Sequence, residues 1–194
     1  LEKPEFDSLA DFQKNFKINV PANFNFAYDI VDEYARLEPN KKALVWTNDK
    51  GEKRIFTYAD LKVETDRTAS YFQQLGIGRG TKVMLILKRR YEFWFACIAL
   101  HKLGAIAIPA THLLTAKDII FRCNAADIKA IISVGEEVVL EHVEKSKPHC
   151  PSLSTLISVD PIKKDGWLNF STGIEQAPAF VKPELPSVNS DLMF

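Results

Sequence analysis

Several residue groups in this 194-residue chain are of types that do chemistry. Gly76-Ile77-Gly78-Arg79-Gly80-Thr81-Lys82 has the glycines and lysine of a phosphate loop. A loop of that kind must follow a strand and open a helix, so that free helix N–H groups meet the phosphate. Here the glycines follow a helical pattern and precede a strand. Gly76 therefore reads as a left-handed helix cap and the others as a tight turn. Lys88, Arg89 and Arg90 follow the apolar run TKVMLIL. Ligands gather beyond the carboxyl ends of strands in open parallel sheets, so this basic trio is a candidate phosphate contact; the plainer reading is a solvated helix start. Thr111, His112 and Leu113 follow a second run, AIAIPA, and are a candidate ligand-contacting loop, with an ordinary turn as the plainer reading.

The remaining reactive types are dispersed. His101, His112, His142 and His149 have no metal-ligand spacing beyond the adjacent His149 and Cys150. His101 lies in an apolar helical run and reads as a satisfied core or boundary residue. No serine sits in a G-x-S-x-G elbow. Cys97, Cys123 and Cys150 are odd in number and widely spaced, as expected of reduced thiols in a cytosol-like compartment.

The elements that would position these groups alternate. Ala27, Ile30, Val31, Tyr34 and Ala35 mark one face of a helix that begins near Asn25 and stops before Pro39. KALVWT and KRIFTY flank the turn-former NDKGE as a hairpin. Thr57 with Asp60, and Thr115 with Asp118, open two further helices as capping pairs. Asp118 and Arg122 lie one turn apart, as a surface pair would. TKVMLIL, AIAIPA, AIISV and TLISV are continuously apolar and separated by helical patterns, as in a parallel sheet covered on both faces. The helix YEFWFACIALHKLG is apolar nearly all round and should be buried on most sides. After Asp160 the chain loosens, with Pro178, Pro183 and Pro186, and one weak helix is expected in WLNFSTGIEQA. SDLMF reads as a strand cut short.

The fold class is thus α/β: a parallel sheet with helices on both faces, preceded by a helix and a β-hairpin. Residues 1–24 form an N-terminal arm and 25–194 the folded part. Lys plus Arg equals Asp plus Glu at 25 each, so the chain has no electrostatic footprint for nucleic acid. No window approaches the roughly 20 apolar residues of a membrane span. Glu2, Glu5, Asp7 and Asp11 make the N-terminal stretch unlike a signal or transit peptide, and a cytoplasmic location is expected.

Three blocks resemble a known family. Thr57-Tyr58-Ala59-Asp60-Leu61, the run RTASYFQQLGIGRGTKVMLIL, and His101-Lys102-Leu103-Gly104-Ala105 with Pro109 are similar to the opening blocks of adenylate-forming enzymes. NFAYDIVDEYA, LILKRRYEFWF and PATHLLTAKDIIFR resemble the medium-chain acyl-CoA synthetase branch. The resemblance covers roughly residues 23–159. It implies that 25–194 is part of the large N-terminal AMP-binding domain, with NSDLMF leading toward the phosphate loop. It implies a parent enzyme that uses ATP, Mg2+ and CoA, activates a short- or medium-chain carboxylic acid as acyl-adenylate, and passes the acyl group to CoA. The family's catalytic blocks lie later in sequence, so these 194 residues alone are expected to release no pyrophosphate and to hold no cofactor tightly. In resembling synthetases the loop matching Thr111–Leu113 approaches the CoA nucleotide. Some relatives also place an arginine after the third strand; this chain has Glu136, Glu137 and Val138 there. Two alternatives stand beside this reading: a non-catalytic α/β nucleotide-binding module, and a dinucleotide-binding oxidoreductase domain. The second needs glycines after the first parallel strand, where this chain has KRRYE.

Overall fold

The computed structural model describes residues 5–184 and 187–194, so Pro4, Pro186 and the first residues of the arm lie outside it. The described arm carries α1 (Leu9–Asn15), capped by the Ser8 hydroxyl and burying none of its own residues. Its Phe6, Phe12 and Phe16 rings pack on one another instead.

The next helix differs from expectation. Ala27–Asp32 is a π-helical stretch, and regular α2 covers only Glu33–Leu37. Buried Asn25 starts it: its Oδ1 accepts the N–H groups of Ala27 at 3.0 Å and Tyr28 at 3.3 Å. Ala27 and Val31 still face the core, as their spacing predicts.

β1 (Lys42–Thr47) and β2 (Lys53–Thr57) form the expected antiparallel hairpin. Thr57 and Asp60 make a reciprocal capping box at the start of α3 (Tyr58–Gln74). The rest of the chain builds the parallel sheet. β3 (Lys82–Ile86) leads through α4 (Glu92–Leu103) to β4 (Ile106–Pro109), then through α5 (Ala116–Ala126) to β5 (Ala130–Ser133). α6 (Glu137–Ser146) leads on to β6 (Thr155–Ser158). The strand order is β4-β3-β5-β6-β7, with every pair parallel. Val83 to Ile86 and Ala130 to Ile132 are buried throughout, because the sheet is covered on both faces. α3, α4 and α7 (Phe170–Gln176) pack together, and α5 packs with α6. Right-handed crossovers require that division, since the chain leaves β3 in one direction and returns past it in the other. α4 stops at Gly104, whose φ of +68° accommodates the left-handed cap.

Two stretches correct the sequence expectation. WLNFSTGIEQA is a short strand, β7 (Trp167–Asn169), followed by α7, rather than a single helix. SDLMF forms no strand; a lone backbone bond runs from the Ala107 N–H to the Met193 carbonyl at 3.0 Å, at the edge of β4.

Candidate functional site

β3 is where the topology turns. Its loop leaves toward one face of the sheet, whereas the loops after β4 and β5 leave toward the other. Crevices therefore open at the carboxyl ends on either side of β3, which is where such sheets place ligands.

One crevice, of about 560 Å³, lies beyond β3, β5 and β6 and is walled by Trp46 and Asn48 of the hairpin. Trp46 is fixed by donating its Nε1–H to the Arg89 carbonyl at 2.6 Å. All three cations of the basic trio line this crevice, and each faces a carboxylate. Lys88 Nζ reaches Glu136 at 2.6 Å, Arg89 lies 3.8 Å from Asp49 in full solvent, and Arg90 pairs with Asp160. The trio is thus an ion-paired loop rather than a bare phosphate cradle. Lys88 sits at φ +52°, a conformation that costs a non-glycine residue about 1 kcal/mol. Asp160 holds the crevice together: one carboxylate oxygen meets Arg90, and the other accepts the Gly135 N–H at 2.8 Å. Its carbonyl accepts the Ser158 hydroxyl at 2.9 Å. Gly135 allows no side chain, since a Cβ there would stand 2.7 Å from the Asp160 Cβ and 2.8 Å from Ile162.

The second crevice, of about 570 Å³, lies beyond β3 and β4. Leu85, Leu87, Phe93 and Pro109 make it apolar, while Lys88, Arg89, Thr111 and His112 supply its polar groups. Of the loop singled out in the sequence, Thr111 and His112 line this crevice; Leu113 is not among the lining residues and is 75% exposed. The Thr111 hydroxyl accepts the Leu113 N–H at 3.3 Å, and Thr115 with Asp118 caps the helix that follows, so the loop is held at both ends.

The glycine-rich run lies at the opposite, amino end of β3. Gly76 has φ +72° and Gly80 +75°, and the Gly80 N–H is taken by the Gly104 carbonyl. It is a turn, as the order of elements requires. The sequence signal missed was Gly135, a glycine between a buried strand and a helix. Asp160 and Trp46 carried no local signal, since their partners lie 70 and 43 residues away.

The other reactive types are placed as scaffold. The cysteines are free and buried, and burial pushes the thiols of Cys97 and Cys123 up to about 12, which suppresses the nucleophilic thiolate. His142 Nδ1 bonds the Leu114 carbonyl at 2.9 Å. His101 departs from expectation: its Nδ1 is buried without a partner, and burial holds the imidazolium below its ordinary range. The Asp118 carboxylate is spent on the Thr115 cap; Arg122 acts on it only through its field, which with that cap holds the carboxyl below its ordinary range. Among the described residues, no group of three or more His, Cys, Asp or Glu is placed to hold a metal ion, and no helix is long and apolar enough to cross a membrane.

Comparison with known proteins gives a consistent answer. The human acyl-coenzyme A synthetase ACSM4, mitochondrial, is 35% identical over 171 residues, which is 84% of this chain and 29% of its own length. The rat acyl-coenzyme A synthetase ACSM5, mitochondrial, is 32% identical over 157 residues, 78% of this chain and 27% of its own. The chain thus spans less than a third of these relatives. The crystal structure of the anthranilate CoA ligase AuaEII in complex with anthranoyl-AMP superposes with a TM-score of 0.78 at 24% identity, covering 89% of this chain and 32% of that one, and shows the same fold. The relatives' names correct one expectation: they are mitochondrial proteins, against the cytoplasmic location read from the acidic N-terminal stretch and scattered cysteines. The profile of the AMP-binding enzyme family matches residues 31–194, and the chain belongs to that family.

Proposed function

We propose that the protein of which these residues form part of the large N-terminal AMP-binding domain is an acid–thiol ligase of the AMP-forming acyl-CoA synthetase type. It uses ATP with Mg2+ to convert a short- or medium-chain carboxylic acid to an acyl-adenylate, then transfers the acyl group to CoA, in the mitochondrial compartment of its relatives. That chemistry needs charge neutralisation at the α-phosphate and in-line attack by the carboxylate. The residues described here provide the scaffold and one wall of the CoA site.

The observation that carries the reading is the crevice beyond β3 and β4. It offers an apolar surface of Leu85, Leu87 and Phe93 beside Lys88, Arg89, Thr111 and His112. An aromatic base with phosphates attached fits that division, since the base lies on apolar surface and Arg89, whose contact with Asp49 is solvent-exposed, can turn to the anionic end. No group placed to hold Mg2+ is found among the described residues, so no step is assigned to the metal here. The loop Thr111–Leu113 is proposed to border the CoA channel, with Thr111 and His112 facing the ligand.

The test is Thr111→Trp in the full-length enzyme. It should raise KM for CoA by about tenfold, the loss of roughly 1.4 kcal/mol of ligand contact, while pyrophosphate release in the adenylation half-reaction stays nearly unchanged. No change in either half-reaction would remove the loop from the site. Equal damage to both would mean a disturbed fold.

A further inference from the structure

The turn from Leu87 to Arg90 stands between open spaces rather than in a packed interior. Lys88 and Arg89, its two middle residues, line both crevices and also a smaller space of about 350 Å³ beside the hairpin, walled by Trp46, Phe93 and Trp94. The Arg90 N–H closes the turn on the Leu87 carbonyl at 3.0 Å, and Lys88 sits in it at φ +52°. That conformation is disfavoured for a residue with a side chain, so contacts from outside the turn must hold it. Two of these are ion pairs, Lys88 with Glu136 and Arg90 with Asp160, and they tie the side chains rather than the peptide groups between them. The peptide group after Arg89 is held from the hairpin, where Trp46 donates its Nε1–H to the Arg89 carbonyl at 2.6 Å. Trp46 is itself set by its place opposite Arg54 in the hairpin and by its edge-on contact with the Tyr91 ring at 5.2 Å. Arg89 depends most on this bond. Its side chain is 91% exposed and lies 3.8 Å from an equally exposed Asp49, so only its backbone fixes where the guanidinium starts from.

We propose, on the reading of the crevice beyond β3 and β4 as the CoA site, that Trp46 is a positioning residue for the phosphates of the acyl acceptor. Its indole N–H holds the Leu87–Arg90 turn in the conformation that keeps Arg89 in the lining of that crevice. Trp46 acts through the turn and not on the ligand, since it lines the other two spaces and not this one. Without the N–H, Lys88 is free to relax out of its left-handed conformation, and the guanidinium of Arg89 swings with the backbone. An arginine pairs with phosphate through a directional fork of donors, so a change in its aim weakens phosphate binding. The thiol-bearing arm of the acceptor carries no phosphate and is indifferent to that aim.

The test is Trp46→Phe in the full-length enzyme, which keeps an aromatic ring and removes the donor. KM for CoA should rise about fivefold with kcat unchanged, the loss expected for one hydrogen bond acting through a neighbour. KM for pantetheine, which has the thiol arm and no phosphate, should not move. Arg89→Gln should also raise KM for CoA, and adding Trp46→Phe to it should raise it no further, because residues acting through one contact are not additive. Hydrogen exchange at the Arg90 amide should quicken in Trp46→Phe, since the turn is no longer held closed. Should phenylalanine disturb the hairpin, benzothienylalanine at the same position, with sulfur in place of the N–H, repeats the test at nearly the same shape. An equal rise for pantetheine, additive effects of the two substitutions, or unchanged exchange at Arg90 would each overturn the proposal and leave the crevice reading standing. If Arg89→Gln left KM for CoA unchanged, the crevice reading would fall, and this proposal with it.

Discussion

Gly135 donates its backbone N–H to the Asp160 carboxylate at 2.8 Å, with so little room between the two residues that no side chain fits. This one contact joins the carboxyl ends of β5 and β6, and the second oxygen of the same carboxylate extends the tie to Arg90 beyond β3. The wall of the crevice beyond β3, β5 and β6 is therefore set by backbone proximity as much as by charge.

Gly135→Ala should test that proximity. The methyl group must displace Asp160 or Ile162, so a loss of about 1–3 kcal/mol is expected from overpacking. Urea denaturation measures it. Because the backbone at Gly135 is not in the left-handed region, a neutral result would mean that the Asp160 loop yields freely.

Lys102 is fully buried and bonds Asp32 at 2.7 Å and Asp66 at 2.6 Å, tying α4 to the π-helical stretch and to α3. Lys102→Met keeps the length and removes the charge, leaving two aspartates facing each other. Both keep some solvent contact, so the cost should fall near the low end for a broken buried pair, about 3 kcal/mol. Adding Asp32→Asn and Asp66→Asn should recover much of the loss. Failure to recover would assign the effect to packing of the lysine stem.

Burial raises the Glu92 carboxyl above its ordinary value of 4.5. As pH rises, the unfolded chain therefore gives up this proton before the native state does, and the native state loses stability across that interval. Glu92→Gln has no such proton. The stability of the variant relative to the parent should rise as the pH climbs past 4.5 and level off once the native carboxyl has ionised as well. A difference that stays constant across this range would contradict the burial.

Asn25 spends its side chain on both sides of a long loop: its Oδ1 holds Ala27 and Tyr28, and its Nδ2 reaches the Ser187 hydroxyl at 2.6 Å. Asn25→Ala leaves buried partners unpaired and should cost about 2 kcal/mol. Hydrogen exchange should quicken at Ala27 and Tyr28 well before the sheet responds. Protection unchanged at those amides would show that the π-helical start stands without its cap.

The parts of the fold that could be read from the sequence are those whose cause is local. Thr57 with Asp60 and Thr115 with Asp118 announce their helices because a capping box spans three residues. The apolar runs of β3 to β6 announce a parallel sheet because both of its faces are covered. β7 was missed because three residues, Trp167 to Asn169, carry too little pattern, and only pairing with β6 makes them a strand. The π-helical stretch was missed because apolar spacing is insensitive to one extra residue per turn. That Thr111 and His112 line a crevice beyond β4 followed from their place just after an apolar strand. Asp160 did not, since nothing near it in sequence hints at Arg90, and the ion pairs that occupy Lys88 and Arg90 depend on residues 48 and 70 positions away.

Among the described residues β4 is an edge strand of the sheet. Along its open side the amides of Ala107 and of position 109 should point outward; the first is bonded to Met193, and the second is a proline with no N–H to give. A foreign strand sliding alongside would find one donor taken and the next missing. Within these residues such an edge offers poor purchase for intermolecular β-pairing.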